Sequence, residues 1–161
     1  WTSSGPAIAA GATMDQKSGD PTNSPSVDDA HRLLLFPTVG KFPGNGGTFW
    51  RTSLALTSDS DVEDDVDLDL HAADGSSAHA AVTIPAHGSF RSDDLFSLFD
   101  LAGGSGVLEL TASQPTVALA RFFDTREDGS TSGVAVTSPT EYVKPPLIGW
   151  LSAETIRYET R

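Results

Sequence analysis

Apolar and polar residues alternate with a period of two along most of the chain after His31. The clearest stretch is Val62 to Ala73. There Val66, Leu68, Leu70 and Ala72 fall on one parity, and Asp65, Asp67, Asp69 and His71 on the other. Successive side chains of a strand point to opposite faces, so this pattern predicts a strand with one dry and one wet face. Asp74-Gly75 then signals a hairpin. Its return strand carries Ala80, Val82 and Ile84 on one face and stops at Pro85.

Other segments read the same way. Leu33 to Phe36 is a short apolar run ended by Pro37, and Gly40 to Gly47 is dense in turn formers. In Thr48 to Thr57, Trp50, Leu54 and Leu56 share a face, which predicts that Trp50 is core. Gly106 to Ser113 and Thr116 to Asp124 predict two strands joined by a turn at Gln114-Pro115, with Gly133 to Thr137 following after a polar loop. Ser92 to Leu101 breaks the alternation. Ser92 is a candidate N-cap, Asp93 and Asp94 suit a first turn, and Leu95, Phe96, Leu98 and Phe99 form an apolar stripe, which predicts a short helix.

The two ends differ from this middle. Residues 1–30 are rich in Gly, Pro, Ser, Thr, Ala and Asp, with Trp1, Ile8, Met14 and Val27 as the large apolar exceptions. Such a segment buries too little surface to offset its ordering entropy, and an extended N-terminal arm is expected. Pro145-Pro146 sets off a tail in which Ile148, Trp150, Ile156 and Tyr158 share a parity. The expected organisation is an arm (1–30), a sandwich domain (31–144) and a C-terminal strand or tail (145–161) that belongs to the sandwich or serves as a donor strand. The expected fold is all-β: an antiparallel, immunoglobulin-like β-sandwich of about eight strands with one short helix.

Three motifs carry a family likeness over roughly residues 31–140: Gly46 to Thr52 (Gly-Gly-Thr-Phe-Trp-Arg-Thr), Ile84 to Ser89 and Gly104 to Leu108. Their order resembles a β-sandwich domain recurrent in secreted bacterial proteins, often beside immunoglobulin-like modules. The resemblance implies a structural or adhesive role and brings no catalytic residues with it.

Charge narrows the choice. Against 22 acidic residues stand 10 basic ones, a net charge of −12. Such a surface does not neutralise phosphates, so no nucleic-acid partner is expected. The acid is mostly Asp, and Lys17, Lys41 and Lys144 are the lysines, a balance that fits either a salt-rich habitat or a GC-rich genome. No apolar run reaches the roughly 18 residues of a membrane span. There are no cysteines, which excludes disulfides, thiolate metal sites and a cysteine nucleophile. The chain starts at Trp1, for which removal of a signal peptide is the economical explanation. A secreted or cell-surface location is expected.

Four candidate chemistries stand out. Asp59, Asp61, Glu63 and Asp64 are candidate calcium ligands, because hard cations take several carboxylate oxygens. The EF-hand pattern is absent, and no other cofactor is expected. A solvated acidic face is the plainer reading of the same stretch. His71 and His79 would face each other, and could chelate a transition metal, if the loop between them is Asp74 to Ser76. Trp1, Trp50 and Trp150 are candidates for a sugar platform. The histidines and Ser105 lack the spacing of a hydrolase triad, Gly103 to Gly106 lacks the Lys of a phosphate loop, and no enzymatic activity is expected.

The expected role is therefore a non-enzymatic extracellular structural subunit. It would assemble with copies of itself or neighbours into a filament or surface layer by strand addition through the N-terminal arm or C-terminal strand. Trp1, Ile8, Met14, Ile148, Trp150, Ile156 and Tyr158 are the expected anchors. The alternative is a carbohydrate- or calcium-dependent adhesion module.

Overall fold

The computed structural model describes residues 11–24 and 30–138. They form nine strands: β1 (Gly11–Met14), β2 (Pro21–Ser24), β3 (His31–Pro43), β4 (Phe49–Ser58), β5 (Asp64–Ala72), β6 (Ser77–Ile84), β7 (Ser89–Ser92), β8 (Gly104–Thr125) and β9 (Thr131–Val136). All pairings are antiparallel. β1 and β2 form a hairpin of their own. The other seven make one sheet of order β6-β5-β8-β3-β4-β7, with β9 also on β8. The all-β, antiparallel expectation holds. Hydrogen bonding does not divide these strands into the two separate sheets of a sandwich, and the sheet curls into a half-barrel.

β8 causes the curl. Its 22 residues would span roughly 70 Å if straight. Its first half lies between β3 and β5, and its second half between β4 and β9. Its start pairs with the end of β3 (Gly104 with Lys41), β3 passes to β4 (Phe42 with Trp50), and β4 returns to the end of β8 (Phe49 with Thr125). That circuit brings the two ends of β8 within a few strand widths, so β8 must bend. Gln114-Pro115, expected to be a turn between two strands, is instead the corner at which one strand exchanges partners. Pro115 has no N–H to lose from a ladder there.

A buried carboxylate pins the corner. Asp64 is fully buried and accepts hydrogen bonds from Gln114 N (2.8 Å), Ser113 Oγ (3.0 Å) and Thr116 Oγ1. β3 also departs from expectation. It runs on past Pro37, absorbing that residue in a register shift between Phe36 and Val39. The buried Thr52 hydroxyl then bridges to Gly40, accepting from its N–H and donating to its C=O.

The core follows the alternation. Leu34, Phe36 and Val39 of β3, Leu54 and Leu56 of β4, Val66, Leu68 and Leu70 of β5, and Leu108 and Leu110 of β8 fill the curl. The segment expected to be a helix is a 3-10 turn, Leu95–Phe99, which contributes the buried Leu95 and Phe96. Asp94, not Ser92, caps it by accepting from Phe96 N, and Asp100 ends it in the left-handed region, leaving too few residues for an α-helix. Trp50 is on the predicted face but half-buried at its margin, stacked on Phe122 with ring centroids 4.9 Å apart.

Part of the stretch expected to be an extended arm is folded. The β1–β2 hairpin lies against β9 of its own chain, joined to it by hydrogen bonds that Ser18 and Thr22 donate and Asp20 accepts.

Candidate functional site

The loop after β4 and the turn between β6 and β7 meet at a histidine. Backbone bonds register the two segments: Ser58 N donates to Gly88 O (3.1 Å) and His87 N donates to Ser60 O (3.0 Å). His87 has φ +50°, a left-handed conformation uncommon outside glycine and held here by those contacts. Its ring sits between two carboxylates, with Nδ1 3.1 Å from Asp59 Oδ1 and Nε2 3.0 Å from Asp61 Oδ1. A neutral imidazole donates from one nitrogen only, so two carboxylate partners favour the doubly protonated ring. The hydrogen bond with Asp59 does most to raise the His87 pKa; desolvation opposes it, and the hydrogen bond and charge of Asp61 help to keep the net shift upward.

Asp59, Ser60 and Asp61 also line an open cleft of about 500 Å³, whose other wall includes Gln114, Pro115 and Val117. The cleft therefore joins the acidic loop to the corner of β8.

The four expected calcium ligands do not converge. Asp59 and Asp61 flank His87, Glu63 is exposed, and Asp64 turns inward to the β8 corner. Among the described residues, no group of three or more His, Cys, Asp or Glu is arranged to hold a metal. The histidine pair also fails. The turn after β5 puts His71 opposite Ser77 and His79 opposite Asp69, two residues away from the register the pair needs. His79 instead meets carboxylates, with Nδ1 3.0 Å from Asp69 and Nε2 3.6 Å from Asp67. The wet face of β5 is as expected: Asp65 and Asp67 are exposed and Asp69 half-buried.

Of the expected assembly anchors, Met14 lies on β1 and is 66% exposed. Trp1, Ile8, Ile148, Trp150, Ile156 and Tyr158 lie outside the described residues, as does Trp150 of the expected sugar platform.

Two groupings escaped the sequence reading. One is His87 with Asp59 and Asp61, 26 or more residues apart in the chain. Its signal was the turn Pro85 to Gly88 facing the acidic loop across the β5–β6 hairpin. The other lies on the outer face of β4 and β8. Arg121 packs over the Phe123 ring at 4.7 Å, and Arg51 sits 5.8 Å from the same ring. Register alone brings them together, since Arg51 is opposite Phe123 and Ser53 opposite Arg121.

No family model matches this chain, and no curated protein matches it. Its fold is similar to that of a solved protein, Thermotoga maritima 1070. The TM-score is 0.56, with 17% identity, covering 71% of this chain and 97% of the other. An identity that low shows the fold alone. Among the described residues no helix is long and apolar enough to cross a membrane.

Proposed function

We propose that this chain is a non-enzymatic, extracellular structural subunit that assembles by strand addition. The proposal keeps the immunoglobulin-like likeness of the 46–52, 84–89 and 104–108 motifs. One observation carries it: β6 is an open sheet margin of eight residues, Ser-Ala-His-Ala-Ala-Val-Thr-Ile, paired on one side to β5. Among the described residues no other strand pairs with it. It has no lysine, no proline and an unbroken register with β5, and so lacks the devices that keep sheet edges from pairing. The alternating segment Leu147 to Tyr158 is the donor this reading assigns, with main-chain bonds supplying affinity and Ile148, Trp150, Ile156 and Tyr158 the anchors.

The test is light scattering of the full chain across a concentration series, beside Ala81→Lys. Ala81 is exposed and opposite Asp67, so a lysine is tolerated there and places a charge on the edge. Assembly by the wild type that is lost in Ala81→Lys supports the reading. A strict monomer at high concentration, or assembly indifferent to Ala81→Lys, defeats it.

A second reading, a carbohydrate- or calcium-dependent adhesion module, rests on the cleft that gathers Asp59, Asp61 and Gln114. Calorimetric titration with calcium and with glycans separates the two.

A further inference from the structure

The β1–β2 hairpin covers a second sheet edge, that of β9. Ser18 Oγ donates to Thr131 O (2.8 Å), Thr22 Oγ1 donates to Gly133 O (3.2 Å), and Gly133 N donates to Asp20 Oδ2 (3.1 Å). Thr131 Oγ1 donates to Asp15 Oδ2 (3.0 Å), and Arg121 Nε to Thr22 Oγ1 (2.9 Å). These are side-chain contacts. β1 and β2 pair as strands only with each other, and no ladder joins either to β9.

The contacts named above are polar. From Met14 to Thr22, where burial is described, the one buried residue is Thr22. Water can replace hydroxyl and carboxylate contacts of this kind, which favours local opening below the free energy of global unfolding.

Beneath it, β9 reads Thr-Ser-Gly-Val-Ala-Val. Thr131 and Gly133 turn backbone groups outward to the hairpin. By alternation Ala135 does the same, beyond the last of these three cap contacts. The strand has no charge and no proline, and Val134 is 61% exposed. Uncovered, it is an unprotected edge.

We propose that the hairpin is a removable cap, and that the uncovered edge of β9 pairs antiparallel with β9 of a second copy across a two-fold axis. Charge selects that occupant. Two copies at −12 each repel over most of their surface. From Thr131 to Thr137 there is no carboxylate, so there two copies approach without bringing like charges together. Antiparallel pairing about Gly133 sets Gly133 against its own equivalent and the outward groups of Thr131 against those of Ala135 in the second copy, and the reverse. That contact is self-complementary and closes at a dimer. It is a different edge from β6 and goes beyond the assembly proposed above.

The test is sedimentation velocity on the full chain with Ala81→Lys in every arm, so that β6 is blocked throughout. Adding Asp20→Ala and Thr22→Val removes both cap contacts to Gly133 and should tighten dimerisation at least tenfold. Adding Ala135→Pro, which deletes an outward N–H that β8 does not use, should return the monomer. Ser18→Ala, which loses one cap contact to β9, that to Thr131, together with the hairpin's own bonds to Asp15 and from Asp20 N, should shift the equilibrium the same way to a smaller extent, and it decides the matter if the double variant misfolds. A folded cap variant no more dimeric than its parent overturns the proposal, and so does a dimer that survives Ala135→Pro. Failure of the β6 reading appears separately, as no difference between wild type and Ala81→Lys.

Discussion

His87 is where a single side chain organises most with least burial. It holds two carboxylates of one loop at once, and that grip requires its second proton. A group whose folded pKa is raised contributes stability that is fully present below its ordinary value and lost as pH rises through the raised one. The clamp is therefore intact in mild acid and loses one arm as pH rises through the raised His87 pKa. Asp59 and Asp61 are the charges that face the ring, and the cleft residues across from them, Gln114, Pro115 and Val117, are neutral. Followed by NMR, the His87 ring should titrate above the ordinary imidazole range. The Asp59→Asn, Asp61→Asn pair should move its midpoint down. A midpoint that the double variant leaves in place would show that the carboxylates do not hold the proton. Nothing local in the sequence foretold this, because the acids and the histidine lie on opposite sides of the β5–β6 hairpin. Asp64 shows the same limit: in a run of acids it looks like its neighbours, yet it alone is turned inward, against a corner 49–52 residues away.

Elements were legible to the extent that alternation governs them. β5 and β6 follow their parity through the hairpin, because one face is dry and a one-residue slip would expose Val66, Leu68 and Leu70. What alternation cannot convey is continuity and the end of a layer. Gln114-Pro115 carries turn chemistry, and reading it as a turn cut β8 in two and hid the bend that curls the sheet. Trp50 keeps the parity of Leu54 and Leu56 but sits where the core runs out, beside Phe42, which is 39% exposed. Truncating a fully buried aromatic costs about 3–5 kcal/mol, whereas an aromatic pair adds about 0.5–1.5 kcal/mol beyond the area it buries. Phe96→Ala should fall in the first range, since Phe96 is 1% exposed. Trp50→Ala should cost about 2 kcal/mol, losing a stack and partial burial. Urea denaturation of the two variants checks the order, and equal losses would put Trp50 back in the core.

At the scale of the whole molecule, the net charge of −12 opposes the edge pairing proposed above for β6 and for uncapped β9. Like net charge opposes association of copies, while β6 and β9 offer main-chain pairing along strands with no acidic residue. Salt separates these contributions. Raising ionic strength from about 0.01 M to about 1 M shrinks the screening length from about 30 Å to about 3 Å and weakens repulsion between exposed carboxylates. Backbone hydrogen bonds and apolar contacts along an edge lose little under the same change. Self-association through these strands should therefore strengthen as sodium chloride is added, and sedimentation equilibrium at several salt concentrations measures it. Contacts built on ion pairs behave oppositely, because salt screens their attraction as well. Such contacts would have to recruit cations that are scarce here, since Lys41 is paired with Asp94 and Arg91 with Asp93 within the chain. Dissociation on adding salt would show that charged surfaces, rather than uncharged strand edges, join the copies.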